Sequence, residues 1–168
     1  GDAEAGVLVD SSMDEATGLP VHSLYGATRK PTPEMLDGVE VLLFDIQDVG
    51  TRYYTYVYTM ALAMEAAGEA GIPFVVLDRP NPVGGEAVQG NVLDPAFASF
   101  VGMYPLPMRH GMTPGELARL YQGAFGVEAA LHLVPAEGWQ RSMLFPETGL
   151  PWRAPSPNMP DLESALHY

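Results

Sequence analysis

The chain has 168 residues, no cysteine and a formal net charge of −13, because it contains eight Lys and Arg but 21 Asp and Glu. This acidity argues against nucleic-acid or anionic-membrane partners, which carry the same sign of charge. The lack of cysteine excludes disulfides and thiolate metal sites, and a hydrophobic content of 47% is typical of a globular domain.

The first part of the chain is irregular. It opens on Gly1 rather than on methionine, so we expect a fragment or a processed product of a longer protein. A short strand is predicted at Val7–Val9. A short helix is predicted from Pro33 to Leu36, because Thr32 is a good N-cap and proline suits the first helical position.

A βαβ unit forms the centre of the predicted fold. Its first strand is the apolar run Val41–Phe44, and its second is Phe74–Leu77. Between them, apolar residues recur at helical spacing and predict a helix over Tyr53–Ala70, which is ended by Gly71 and Pro73. Runs that are apolar on both faces are typical of strands inside a parallel sheet.

The predicted helix carries almost no charge apart from Glu65 and Glu69. A helix that is apolar on nearly every face is buried on nearly every face. We therefore expect one side to cover the sheet and the other to meet a further layer. The predicted fold class is α/β, a three-layer Rossmann-like domain with a mostly parallel sheet.

The connection from Asp78 to Gly111 shows little periodicity but contains many prolines and apolar residues. Such a long ordered loop is predicted to form the wall of a functional site. The capping-box residues Thr113 and Glu116 then open a helix. Ala130–Val134 is predicted as a third strand, and the chain stops at Tyr168 in what the pattern predicts to be the middle of a helix.

Acidic side chains follow both strands of the βαβ unit. Asp45 and Asp48 come after the first strand, and Asp78 comes directly after the second. Because open α/β sheets bind ligands at the carboxyl ends of their strands, we predict that these carboxylates share a site. Paired carboxylates serve glycosidic acid–base chemistry, bind Mg²⁺ or orient a substrate, but aspartates also cap loops and helices. His110 is the histidine that we place in the site.

Two arginines, Arg52 and Arg79, follow the strand-end acids closely. Each can clamp a substrate carboxylate or pair with Asp48 or Asp78 in a structural network. The nearby aromatic residues offer surfaces on which sugars stack, although core packing also explains many of them; they are Tyr53, Tyr54, Tyr56, Tyr58 and Trp152.

A Mg²⁺-dependent phosphoesterase is a less favoured alternative. The D-x-x-D spacing of Asp45 and Asp48 is one residue longer than the D-x-D motif in which both acids share a Mg²⁺. No phosphate-binding glycine loop and no nucleophile elbow is present. The histidines lack the spacing of metal ligands, so no metal is predicted.

Six motifs in this order carry a resemblance to a known family: F-D-I-Q-D-V-G-T-R-Y-Y-T-Y, V-L-D-R-P-N-P-V-G-G, S-F-V-G-M, R-H-G-M-T-P-G-E-L-A, G-L-P-W and P-S-P-N-M-P. Over its whole length the chain resembles the NamZ-like exo-β-N-acetylmuramidases, bacterial peptidoglycan hydrolases formerly grouped as a domain of unknown function. The resemblance implies release of N-acetylmuramic acid from the non-reducing ends of peptidoglycan fragments, in cell-wall turnover or recycling, without a cofactor. It also implies that residues 1–168 are part of a Rossmann-like domain whose upstream strand, and whose following C-terminal domain, lie outside this chain.

The resemblance further implies which residues line the pocket. The catalytic candidates are Asp45, Asp48, Asp78 and His110, and the substrate-binding candidates are Gln47, Arg52, Tyr54, Arg79 and Asn81. A glutamate in a P-E-H-G motif upstream of Gly1 is the expected partner acid. The partner is then a peptidoglycan-derived sugar, in the periplasm or outside the cell, with no nucleic acid or membrane. A sugar-binding fragment without catalysis is the alternative from another functional class, and the oligomeric state is not predicted.

Overall fold

Three parallel strands and two helices form the centre of the structure, a computed structural model in which residues 9–168 are described. Of the strand predicted at residues 7–9, residues 7 and 8 lie outside the described residues, and Val9 is not in a strand. In chain order the strands are β1 (Ser12–Met13), β2 (Pro20–Val21), β3 (Leu42–Phe44), β4 (Pro73–Leu77), β5 (Gln89–Val92), β6 (Pro107–Arg109) and β7 (Ala130–Val134). The helices are α1 (Tyr56–Ala70), α2 (Pro114–Phe125) and α3 (Leu162–His167), with 3₁₀ turns at Pro33–Leu36, Pro95–Phe97 and Phe145–Thr148.

Strands β3, β4 and β7 form a parallel sheet in which β4 is central. Leu43 pairs with Val75 on the β3 side, and Leu77 pairs with Val134 on the β7 side. Short apolar runs with helical connections build such sheets, because a parallel crossover needs a long return segment. The α/β class, the parallel sheet and the third strand predicted from the sequence are confirmed.

Helices α1 and α2 pack on one face of this sheet. The core that they share includes Phe44, Phe74 and Val76 of the strands. Of the 15 residues of α1, nine are buried, as its almost uncharged sequence predicts. Met60 and Met64 of α1 are 0% exposed, so both methionines fill the core.

The opposite face of the sheet is not covered by a helix of the described residues. Leu43 of β3 and Val134 of β7 point to this face and are 59% and 50% exposed. Both faces of a parallel sheet are usually covered, which is why its strands read as uninterrupted apolar runs. The third layer expected from the sequence is therefore not formed by residues 9–168.

Helix α1 begins at Tyr56, three residues later than predicted. The preceding residues pair with β6 instead: Thr51 forms a bridge with Arg109, and the Arg52 N–H donates to the Met108 carbonyl at 2.8 Å. The helix ends where predicted, at Gly71, whose φ of +69° suits glycine. None of the helices in residues 9–168 is long and apolar enough to cross a membrane.

The long connection between β4 and α2 contains an antiparallel hairpin of β5 and β6 that the sequence did not predict. All four residues of β5 are exposed, so the strand lacks the alternation of apolar residues by which strands are recognised. Arg52 anchors this hairpin, because its Nη1 donates to the carbonyls of Asn91 at 2.7 Å and Leu106 at 2.6 Å.

Helix α3 runs from Leu162 to His167. Its Ala165 joins a second, smaller core with Val49, Val83 and Met159. This core places α3 against the loops that follow β3 and β4. It thereby closes one side of the region where the strands end.

Candidate active site

The strands that carry Asp45 and Asp78 are hydrogen-bonded neighbours running in the same direction. Both acids therefore lie at the same edge of the sheet, as predicted. Asp45 follows β3, and Asp78 follows β4. The two carboxylates nevertheless have different surroundings, and these decide what each can do.

Asp45 forms an ion pair with Arg79 across the two strand ends. Its Oδ1 lies 2.7 Å from both Nε and Nη2 of Arg79. The side chains are 50% and 40% exposed, respectively, so the pair faces solvent. A carboxylate held by a guanidinium at an open strand end can meet a substrate, so the catalytic role of Asp45 and the substrate contact of Arg79 stay predictions.

Asp78 turns away from Asp45 and caps helix α2. Its Oδ1 accepts the backbone N–H of Gly115 at 2.8 Å, and its Oδ2 accepts the hydroxyl of Thr113, also at 2.8 Å. A carboxylate at a helix N-terminus satisfies free N–H groups and interacts favourably with the helix dipole. The geometry thus shows a structural role for Asp78, whereas the catalytic role predicted from the sequence stays a prediction.

Asp48 and His110 form a buried pair, each only 2% exposed. His110 Nδ1 accepts the N–H of Met112 at 3.1 Å, so the hydrogen of a neutral ring sits on Nε2. Nε2 lies 3.2 Å from Asp48 Oδ2, although the contact is not aligned as a hydrogen bond. Oδ2 also accepts the N–H of Gly50 at 2.8 Å. Both side chains lie beneath the loop after β3 and hold it in place. Asp48 and His110 are therefore placed to position the residues of the site.

Gln47 joins the two loops that follow β3 and β4, and Asn81 joins the loop after β4 to the segment before α2. Gln47 Nε2 donates to the carbonyl of Pro80 at 3.0 Å. Asn81 is fully buried; its Nδ2 donates to the Met112 carbonyl at 2.9 Å and its Oδ1 accepts the N–H of Val83 at 3.1 Å. The amide of Asn81 is therefore used by the main chain and not by a substrate, which corrects the predicted contact. Gln47 is partly exposed and keeps its carbonyl oxygen for other partners.

The structure also places Arg52 differently from its predicted position in a substrate pocket. It is 5% exposed, and its Nη1 is held by main-chain carbonyls of the hairpin. An arginine fixed in this way stabilises the loop after β3, and the substrate contact predicted for it has no support in the geometry. Among the described residues it forms no ion pair with Asp48, the partner that the sequence suggested.

The tyrosines after β3 are mostly core residues. Tyr54 is 7% exposed, and its ring packs edge-to-face on Tyr56 with 5.1 Å between centroids. Burial raises the pKa of the Tyr54 hydroxyl far above its usual value, so the hydroxyl stays protonated at neutral pH. Tyr58 is fully buried and donates to the Arg52 carbonyl at 2.7 Å. Tyr53 borders an open cavity.

Sequence reasoning missed Arg141, which ties the tail of the chain to the site wall. Its Nη1 donates to the carbonyls of Gly85 and Gly111, at 2.9 Å each, and its Nη2 contacts Glu116. Glu116 completes the predicted capping box with Thr113. The partners of Arg141 lie 56 and 30 residues away in sequence, so no local pattern could reveal them.

The two acids of the D-x-x-D motif do not converge on a metal position. Asp45 lies at the surface against Arg79, whereas Asp48 lies beneath it against His110. A Mg²⁺ site needs oxygen ligands around one point, and here a guanidinium already occupies Oδ1 of Asp45. In the described part of the chain, no three His, Asp or Glu side chains are grouped to hold a metal ion. This arrangement does not favour the phosphoesterase alternative.

Comparisons with known proteins agree on one family. A family profile described as exo-β-N-acetylmuramidase NamZ, N-terminal, matches residues 1–163. The chain is 61% identical over 168 residues to the peptidoglycan β-N-acetylmuramidase NamZ of Bacillus subtilis (strain 168), covering 100% of this chain and 41% of that protein.

Two solved structures of DUF1343 family proteins from Bacteroides fragilis NCTC 9343 share the fold. One gives a TM-score of 0.88 at 49% identity over 92% of this chain and 41% of that chain. The other gives 0.79 at 34% identity over 91% and 42%, respectively. The chain therefore spans about two fifths of the length of the relatives that it matches.

Proposed function

Because the chain belongs to the family of NamZ-type exo-β-N-acetylmuramidase N-terminal domains, we propose that the complete protein is an exo-acting glycosidase. It releases N-acetylmuramic acid from the non-reducing ends of peptidoglycan fragments. The observation that carries this proposal is 61% identity, along the entire chain, to a peptidoglycan β-N-acetylmuramidase. At that identity both fold and site chemistry are usually retained.

The strand ends supply one carboxylate suited to this chemistry. Glycoside hydrolysis needs an acid that protonates the leaving oxygen and a second carboxyl group that acts on the opposite face of the sugar. Asp45 is the open carboxylate of this region, since Asp48 and Asp78 are occupied by buried or capping contacts. In this proposal Asp45 supports the positive charge that develops at the anomeric carbon, or activates the attacking water.

The other groups position Asp45. Arg79 holds one oxygen of the carboxylate, and Gln47 ties the loop after β3 to the loop after β4. The buried pair of Asp48 and His110 keeps the same loop from shifting. The general acid in this proposal is the glutamate of the upstream P-E-H-G motif that the family resemblance implies.

The test uses the complete protein and two chromogenic substrates, a β-N-acetylmuramide and a β-N-acetylglucosaminide. We expect release from the muramide to be faster by at least about tenfold, since a site built for an extra polar group rejects substrates that lack it. Oligosaccharides labelled at the reducing end should lose only their terminal muramic residue. Equal rates on both sugars would contradict the proposal, and binding without release would support the non-catalytic alternative.

We also propose that the complete protein acts in the periplasm or outside the cell, because the peptidoglycan that it would degrade lies beyond the cytoplasmic membrane. Cell fractionation followed by the muramide assay measures this directly. Activity confined to the cytosolic fraction would contradict it.

A further inference from the structure

A concave region lies between the β5–β6 hairpin, the loop after β3, and α3, beside the ends of the sheet strands. It is a cavity of about 200 Å³. Its walls include Thr51, Tyr53, Val83, Met108, Arg109 and Tyr168. A volume of this size admits one substituent of a sugar and not an oligosaccharide chain.

Arg109 is the one charged residue in the lining of this cavity. Its Nη1 donates to Oε1 of Gln89 at 3.0 Å, and its Nη2 donates to the carbonyl of Val83. Both partners are neutral, and no carboxylate of residues 9–168 lies within 4 Å of the guanidinium. By contrast, Arg79 and Arg141 each contact an acidic side chain.

Two polar atoms next to this cavity lack partners. Nε of Arg109 and Oγ1 of Thr51 are buried, and neither forms a hydrogen bond with the described residues. Both atoms are inaccessible to solvent, so a ligand in the cavity would have to meet the other N–H groups of the Arg109 guanidinium. As the one charged residue of the lining, with no carboxylate beside it, Arg109 gives the cavity a positive charge that favours an anion.

We propose that this cavity binds the carboxylate of a sugar acid, and that Arg109 is the residue that recognises it. Resting on the proposed function, the inference makes that carboxylate the lactyl group of N-acetylmuramic acid. A guanidinium has donors left for a carboxylate after its two contacts here, because it carries five N–H groups in a planar fork. The apolar walls formed by Val83, Met108 and Leu166 suit the methyl group of a lactyl ether.

This assignment gives the carboxylate-binding role to Arg109 instead of to the two arginines proposed from the sequence. Arg52 is buried under the hairpin, and Arg79 is engaged by Asp45. Arg109 lies on β6 directly before His110, and its strand is bridged to Thr51 in the loop after β3. The carboxylate site is therefore attached to the same loop that carries Asp45.

Calorimetric titration of the complete protein with N-acetylmuramic acid and N-acetylglucosamine tests the inference. Arg109→Gln should weaken binding of N-acetylmuramic acid about 10- to 100-fold, through loss of a charged hydrogen-bonded pair. Binding of N-acetylglucosamine, which lacks the lactyl group, should change less than about twofold. Arg119→Gln is the matched control, because it removes the same charge from an exposed position of α2 outside the cavity.

A further variant keeps the test decisive if Arg109→Gln folds poorly. Leu166 is 50% exposed at the cavity wall, so Leu166→Trp should fill the cavity without disturbing the core and weaken binding of N-acetylmuramic acid selectively. Unchanged affinity in Arg109→Gln and Leu166→Trp, or equal loss for both sugars, would overturn the inference.

The result of the Arg109 test can be distinguished from the result of the test of the proposed glycosidase function. If N-acetylmuramic acid binds through Arg109 but no muramide is cleaved, the carboxylate site stands and the glycosidase proposal fails. If Arg109→Gln cleaves muramide and glucosaminide with the wild-type preference, the glycosidase proposal stands and the assignment of the carboxylate site fails.

Discussion

In the complete protein, Asp45→Asn is expected to lower kcat on a chromogenic β-N-acetylmuramide by about 10²- to 10⁴-fold, the usual loss when a positioned acid–base group is removed. Asparagine keeps the size of the side chain but cannot take up a proton or support a cationic transition state as a carboxylate does. Binding of the product sugar should remain within a few-fold of wild type. The measurement is steady-state kinetics, paired with titration of N-acetylmuramic acid.

Loss of stability cannot account for this effect. The ion pair of Asp45 with Arg79 is about half exposed, and exposed pairs contribute only about 0–1 kcal/mol. Asp78→Asn is the control from the neighbouring strand end. Its carboxylate caps α2, so we expect it to lower the free energy of unfolding by about 1–2 kcal/mol while kcat per folded molecule is kept. Full activity of Asp45→Asn, or a larger loss of kcat in Asp78→Asn, would refute the assignment.

Gly68→Ala is expected to lower the free energy of unfolding by about 1–3 kcal/mol, although alanine is the better helix former. A Cβ at Gly68 would clash with the carbonyl oxygen of Glu128 and lie 2.9 Å from its carbonyl carbon. Both atoms belong to the main chain between α2 and β7, which cannot rotate aside as a side chain can. The change must therefore push α1 away from this segment and disturb the core beneath it.

Gly123→Ala in α2 is the matched control. It also lies inside a helix, but a Cβ there meets nothing within 4 Å. Here the helix propensity acts alone, so we expect a gain of about 0.5–1 kcal/mol. Urea unfolding followed by circular dichroism measures both variants. A gain in stability for Gly68→Ala similar to that of Gly123→Ala would show that the two segments do not approach so closely.

The parts of the fold that sequence reasoning predicted are those with local signals. The runs Val41–Phe44 and Phe74–Leu77 are short and apolar, and the segment between them has helical spacing. Gly71 supplies the left-handed residue that ends α1, and the capping box opens α2. These signals involve residues within a few positions of each other, and sterics and hydrogen bonding act on them wherever the chain folds.

The βαβ unit and the acids that follow its strands could be predicted from the sequence. Tertiary contacts set which acid is open: Asp45 meets Arg79 at the surface, whereas Asp48 is buried against His110. They likewise moved the start of α1, since residues 51 and 52 pair with β6. They also placed Arg109 in a cavity without an acidic partner. These outcomes depend on contacts between residues distant in sequence, and burial and pairing across such distances leave no periodic pattern to read.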